Sequence, residues 1–155
     1  MSTMTESVDV KVPVSTAYNQ WTQFESFPQF MEGVEKVEQL DDKRTLWTTK
    51  IGGQTRQFHA TITEQHPDER VAWASENGPQ HAGVVTFHRL SDTESRVTAQ
   101  MDIDPEGFAE TAADKFGLIE RRVKADMERF KTFIEKRGVE EGSWRGDVEA
   151  PPQHG

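Results

Sequence analysis

Seven short runs fill the chain between Glu6 and Ile103, and most of them alternate apolar and polar residues strictly. A period of two puts the apolar residues on one side of a strand, so this part of the chain must form a sheet with one dry and one wet face. The runs read as strands over 6–12, 33–40, 44–51, 54–65, 69–76, 82–90 and 96–103. Pro13 stops the first, with Val8, Val10 and Val12 inward. Turn signals at Asp41-Asp42, Gly52-Gly53, Pro67-Asp68, Asn77-Gly78-Pro79 and Ser91-Asp92 separate the others. After the first strand, Ser15 is placed to cap a short helix carrying Tyr18 and Trp21. Phe27-Pro28 breaks that helix, and Phe30-Met31 marks a second short turn.

Turn lengths set the register. A two-residue Gly52-Gly53 turn pairs Ile51 with Gln54, and hence Trp47 with Phe58. The Pro67-Asp68 connection pairs Glu64 with Val71 and sets Ile62 opposite Trp73. A five-residue loop at 91–95 pairs Phe87 with Ala99 and Val85 with Met101, and Trp73 is set beside Phe87. One face then carries Trp47, Phe58, Ala60, Ile62, Trp73, Val85, Phe87, Val97, Ala99, Met101 and Ile103. The other carries Gln57, His59, Thr61, Thr63, Thr86, His88, Arg96, Thr98, Gln100 and Asp102. Such a sheet is antiparallel, with one face in water and one that needs a cover.

Only one element is long enough to provide it. Residues 105–137 read as a helix with Asp104 as N-cap, Pro105 at its first position and Gly138 closing it. Ala112, Phe116, Ile119, Val123, Met127, Phe130 and Ile134 recur at spacings of three and four and form one apolar stripe. The charged residues between them read as a solvated face. An unbroken helix would span about 50 Å, more than a domain of this size measures across, roughly 39 Å. Gly117 therefore marks an expected break near 114–118. The piece before it, with Phe108 and Ala112, would then sit at the mouth of any space under the helix. Residues 1–5 are expected to be a flexible N-terminus, 6–138 a single domain, and 139–155 a tail in which Trp144 docks on the body.

One long helix across a curved antiparallel sheet, with two short helices after the first strand, is the helix-grip arrangement of an α+β domain. The order Val-Pro-Val-Ser-Thr-Ala-Tyr-Asn-Gln-Trp then Phe-Pro-Gln-Phe-Met carries a resemblance to a known family. So do Ile-Thr-Glu-Gln-His-Pro-Asp-Glu-Arg-Val-Ala-Trp at 62–73, Gly-Val-Val-Thr-Phe at 83–87, Arg-Phe-Lys-Thr-Phe-Ile-Glu-Lys-Arg-Gly at 129–138 and Gly-Ser-Trp-Arg-Gly at 142–146. These segments resemble polyketide cyclase/dehydrase members of the SRPBCC (START-like) superfamily, a grouping that includes coenzyme Q-binding START-like proteins. The resemblance spans about residues 6–146 and implies the fold. Fold alone does not carry a reaction with it.

Composition narrows the chemistry. There is no cysteine, so disulfides, thiolate catalysis and cysteine-ligated metals are excluded. The N-terminus has neither a basic patch nor an apolar segment of signal-peptide type, and no run is long enough to cross a membrane as a helix. A cytoplasmic location is the expectation. A net charge of -9 repels a phosphate backbone, so nucleic acid is not an expected partner. The histidines at 59, 66, 81, 88 and 154 match no metal or hydrolase motif, and no cofactor is implied. His59 and His88 fall on the wet face, and His81 is placed near a loop mouth.

The apolar face is rich in aromatic residues, while Ala60, Ala99 and Ala112 at its middle are small. A bent sheet and a straight helix touch at their ends and leave room between. The residues expected around that room are Trp21, Phe30, Met31, Trp47, Phe58, Ala60, Ile62, Trp73, Val85, Phe87, Ala99, Met101, Phe108, Ala112, Phe116, Ile119, Val123 and Met127. Glu64 and Arg89 continue the apolar parity of their strands. They could orient a ligand, or reach solvent at the strand ends and pair with each other. Tyr18 could donate a proton inside the space or belong to the core. The expected activity is binding or carriage of a hydrophobic or polycyclic molecule (lipid, polyketide or quinone-like) by a monomer or homodimer. A polyketide aromatase/cyclase and a non-catalytic interaction module are the alternatives.

Overall fold

Every one of the seven runs forms a strand of a single antiparallel sheet in the computed structural model, which describes residues 2–51, 53–77, 80–103, 115–139, 142–146 and 148. Strand β1 (Ser2–Val10) is followed by helix α1 (Val14–Trp21) and a 3-10 turn (Phe24–Gln29). Strands β2 (Val34–Gln39), β3 (Arg44–Ile51), β4 (Gln54–His66), β5 (Arg70–Ser75), β6 (His81–Arg89) and β7 (Ser95–Ile103) come next, then helix α2 (Lys115–Arg137). The order across the sheet is β1-β7-β6-β5-β4-β3-β2, so the first strand closes beside the last. This is the helix-grip architecture, with α1 and the 3-10 turn as the two short helical pieces.

Several local expectations need correction. Residues 2–5 are not free: Thr3, Met4 and Thr5 pair with Asp102, Met101 and Gln100. Met4 shares parity with Val8 and Val10 and is buried with them, so the strand extends to Ser2. Helix α1 starts one residue before Ser15. Extended Pro13 occupies its N-cap, and the Pro13 carbonyl accepts from the Ala17 N–H at 3.1 Å with no side-chain cap.

Register holds where the turn is tight and slips where it is not. Ile51 pairs with Gln54, Trp47 with Phe58 and Ile62 with Trp73, as the turns imply. Beyond Ile62 a β-bulge shifts the pairing, so Glu64 faces Ala72 and Gln65 faces Val71. One extra residue turns every later side chain to the opposite face. Gln65 therefore points inward, 1% exposed, and Glu64 does not. In the β6–β7 hairpin Phe87 pairs with Val97 and Val85 with Ala99, two residues from the expected register but with faces preserved. Trp73 pairs with Gly83 rather than lying beside Phe87. A Cβ at position 83 would stand 2.8 Å from the indole edge of Trp73 and 2.9 Å from the Gln100 carbonyl. The indole lies where only glycine leaves room.

Helix α2 crosses the apolar face and buries Ile119, Met127, Phe130 and Ile134. Gly138, at φ 74°, donates its N–H to the Ile134 carbonyl at 2.8 Å and ends it in the left-handed conformation glycine tolerates. The expected cap at Asp104-Pro105, the lid residues Phe108 and Ala112, and the chain up to Asp114 lie outside the described residues. So does the side chain of Phe116. Within the described part of the tail, Trp144 packs on the core. The Trp144 N–H donates to Thr22 Oγ1 at 3.0 Å. Arg145 donates to Asn19 Oδ1 at 2.6 Å and to Asp68 at 2.9 Å. Val148, buried, exchanges two 2.8 Å backbone hydrogen bonds with Gln65. That bridge ties Val148 of the tail to the end of β4.

Ending the chain after Gly146 removes Val148 and leaves the inward Gln65 backbone without its partner. Relative to a chain ended after Glu149, the loss should be about 2–4 kcal/mol by urea unfolding. Equal midpoints for the two truncations would show that the bridge contributes nothing.

Candidate functional site

Between the apolar face and α2 lies a cavity of about 150 Å³. Its sheet side is built from Trp47, Phe58, Ala60, Ile62, Trp73, Val85, Ala99 and Met101, and its helix side from Ile119, Val123 and Met127. Trp21 and Met31 close one end. The sheet residues were expected from strand parity, the α2 residues from helix spacing, and Trp21 and Met31 from the short helical pieces after the first strand. Trp47 and Phe58 stack nearly parallel at 6.1 Å across the β3–β4 pair, as their register requires. Ala60 and Ala99 leave the middle open, because a methyl group reaches less far than its neighbours.

Two expected residues do not line it. Phe30 is buried among Trp21, Phe27, Phe130 and Phe133. Phe87 packs edge-on against Tyr18 at 5.3 Å and against Trp21 at 6.5 Å. The cavity also takes in Phe24, Phe27, Gly33, Val34, Thr45, Thr49, Val71, His81, Ile103, Arg122 and Asp126. Thr45 and Thr49 share the parity of Trp47, Val71 that of Trp73, and His81 that of Val85. The signal was therefore present but masked by their polarity or by position at a strand end.

The three polar candidates lie elsewhere. Tyr18 is fully buried in the core and accepts a hydrogen bond from Gln65 Nε2 at 3.0 Å. The bulge puts Glu64 at the surface, beside His66 at 3.3 Å and Arg70 at 3.5 Å. Arg89 ends its strand in solvent, paired with Asp92. Glu64 and Arg89 therefore pair with near neighbours and not with each other.

The polar groups that do line the cavity stand at identifiable points. Thr45 Oγ1 accepts the Trp47 indole N–H at 2.8 Å and fixes that ring. His81 is 6% exposed, with the Phe58 ring edge-on at 4.6 Å. The Trp73 indole N–H donates to His81 Nδ1 at 3.1 Å. An indole N–H is only ever a donor, so neutral His81 carries its own proton on Nε2. Arg122 and Asp126 sit one turn apart on α2. Burial pushes the Asp126 carboxyl above the usual range, while its hydrogen bond from Arg129 works in the opposite direction. Among the described residues no cluster of three histidines or acids could hold a metal, and no helix is long and apolar enough to cross a membrane.

Burial pushes His81 from 6.5 down to about 4. The unfolded chain takes up this proton below 6.5, whereas the folded protein resists until about 4. Stability linked to neutral His81 is thus complete above pH 6.5 and is lost as pH falls through that window, on the order of 3 kcal/mol in all. Urea midpoints should fall more steeply between pH 6.5 and 4 in the wild type than in His81→Gln, whose amide oxygen still accepts from Trp73. Parallel slopes would mean that His81 takes up its proton in the folded state as easily as in the unfolded one.

Comparison with known proteins agrees with this geometry. A family described as polyketide cyclase / dehydrase and lipid transport matches residues 10–132. An uncharacterized 17.2 kDa protein of Streptomyces lincolnensis, from the melC2-rnhH intergenic region, is 56% identical over 149 residues, covering 96% of this chain and 99% of its own. The Zhui aromatase/cyclase of Streptomyces sp. R1128 superposes with a TM-score of 0.73 at 13% identity, covering 88% of this chain and 94% of its own. A START superfamily protein of Mycobacterium smegmatis gives 0.68 at 12% identity, covering 87% and 95%. At these identities the two structures establish the shared fold, while the sequence match extends over most of the domain: the chain belongs to the polyketide cyclase / dehydrase and lipid transport family.

Proposed function

We propose that the protein binds a small apolar molecule containing at least one ring, held between the sheet and α2. The observation that carries this is the cavity itself, about 150 Å³ and walled almost wholly by aromatic and aliphatic side chains. A void of this size with such walls stays dry, and an engineered one of about 150 Å³ in another protein admits benzene. Transfer of ligand surface into it is favourable by roughly 25 cal/mol per Å². Trp47, Phe58 and Trp73 supply flat faces for a ring, and the Nε2–H of His81 supplies one donor for a carbonyl or phenol oxygen. The family match is consistent with a lipid, polyketide or quinone-like ligand.

A second reading, cyclisation or dehydration of a polyketide, draws on one specific observation. His81 and Asp126 are titratable groups in the wall, and burial favours the neutral form of each. A neutral imidazole can polarise a ketone by donating from Nε2, and a carboxyl group can exchange a proton with an α-carbon. The small volume favours carriage of a compact ligand over folding of a long chain.

Ala99→Leu tests the cavity directly. Where there is space, the added side chain fills it, so the melting temperature should hold or rise by a few degrees. Binding of a naphthalene-sized ligand, followed by calorimetry, should fall at least tenfold. A loss of about 1–3 kcal/mol in stability, as for an overpacked core, with ligand affinity unchanged would refute the reading.

A further inference from the structure

Arg122 and Asp126 are the charged side chains that line the cavity among the described residues. Both are partly exposed, so this part of the cavity wall reaches solvent. Across from them runs the segment joining the 3-10 turn to β2, and its Met31 and Gly33 also form cavity wall. Glu32 between them is tied to α2 twice. Its backbone N–H donates to Asp126 Oδ1 at 3.1 Å, and its carboxylate accepts from Arg122 at 2.9 Å, with Arg129 at 3.5 Å. Arg129 also donates to Asp126, and its Nε donates to the Phe30 carbonyl at 3.1 Å.

The four charges are not equally committed. The Asp126 carboxylate is 16% exposed and takes both a guanidinium and a backbone N–H. The Glu32 carboxylate is 62% exposed and held by ion pairs alone, whereas the Arg122 side chain is 30% exposed and touches the cavity. Exposed pairs of this kind are weak and screened by salt. Two arginines and two acids leave the cluster neutral. If Glu32 swings into water, one positive charge remains at the end of an otherwise apolar cavity. A cationic ligand has no such place, because both carboxylates already face guanidinium groups and Asp126 cannot release its partners without leaving a half-buried charge.

We infer that the cavity takes an amphiphile with an apolar ring body and an anionic end, and that this end replaces the Glu32 carboxylate on Arg122. Glu32 is then an internal stand-in for the ligand's acid group. This rests on the binding reading above and adds to it the charge of the ligand and the residue that selects it.

The test compares two probes with one body, naphthalene-2-carboxylate and 2-acetylnaphthalene, titrated by calorimetry into the wild type, Glu32→Gln and Arg122→Gln. Removing the internal competitor should tighten the carboxylate three- to tenfold in Glu32→Gln. Removing the cation should weaken it at least fivefold in Arg122→Gln. The neutral ketone should stay within twofold in Glu32→Gln and lose less than the carboxylate does in Arg122→Gln, and its binding also reports that each variant is folded. Tightening of both probes alike in Glu32→Gln would mean that Glu32 only closes the wall, and would overturn the inference. So would an unchanged carboxylate affinity in Arg122→Gln. Binding of the ketone with no binding of the acid would overturn the inference alone, whereas binding of neither probe to the wild type would overturn the cavity reading as well.

Discussion

The ring of Phe130, fully buried on α2, meets Trp21 of α1 at 5.1 Å and Phe30 at 5.2 Å, and the height of the helix above the sheet follows from that contact. Trp21 passes the load to Phe27 and Phe87, and Phe27 to Trp47 on β3. These six rings therefore wedge one end of the helix away from the strands. At the other end Ile119 rests with Met4, Phe58 and Ile103 in a smaller cluster. Residues of both clusters border the cavity, and the space persists because neither can collapse into it. Aromatic rings carry large area with few rotatable bonds, so they hold a fixed separation better than long aliphatic chains would.

Much of this was readable from residue order. Parity alone placed Trp47, Phe58, Ala60, Ile62, Trp73, Val85, Ala99 and Met101 on the correct face, because a two-residue slip in register leaves every side chain on its own side. A one-residue slip does not, and the bulge after Ile62 is such a slip. Neither glycine nor proline marks that bulge, and no local preference distinguishes Glu64 from Gln65 as the inward residue. The tertiary partner decides: the Tyr18 hydroxyl accepts from the Gln65 amide and the Val148 backbone pairs with the Gln65 backbone, whereas a carboxylate there would be left buried without a cation. Val148 itself follows a polar, glycine-bearing stretch, and nothing in that composition reveals a partner 83 residues earlier.

The charged end of the cavity was hidden for a different reason. Arg122 and Asp126 fall beside Ile119, Val123 and Met127 on the helical wheel, so their spacing allows them to border the apolar stripe. Charge suggested a solvated face, and a minor part of each side chain does reach solvent. Long polar side chains lay their stems on apolar surface and keep their ends in water. Whether such a residue borders a cavity or open solvent depends on what stands across from it. Here that is the Phe30–Gly33 segment, whose backbone accepts from Arg129 and donates to Asp126.

Gly83 lies under the Trp73 indole with no side chain of its own, so the strand backbone serves as a shelf for the ring. The ring forms part of the cavity wall, while position 83 belongs to the neighbouring strand and is absent from the lining. The position of this part of the chamber wall is consequently set from behind. A methyl group on the shelf would meet both the indole and the Gln100 carbonyl, and the carbonyl is backbone that cannot step aside. The ring keeps its place in the wall by virtue of a residue that no guest ever touches, and a survey confined to wall residues would overlook it.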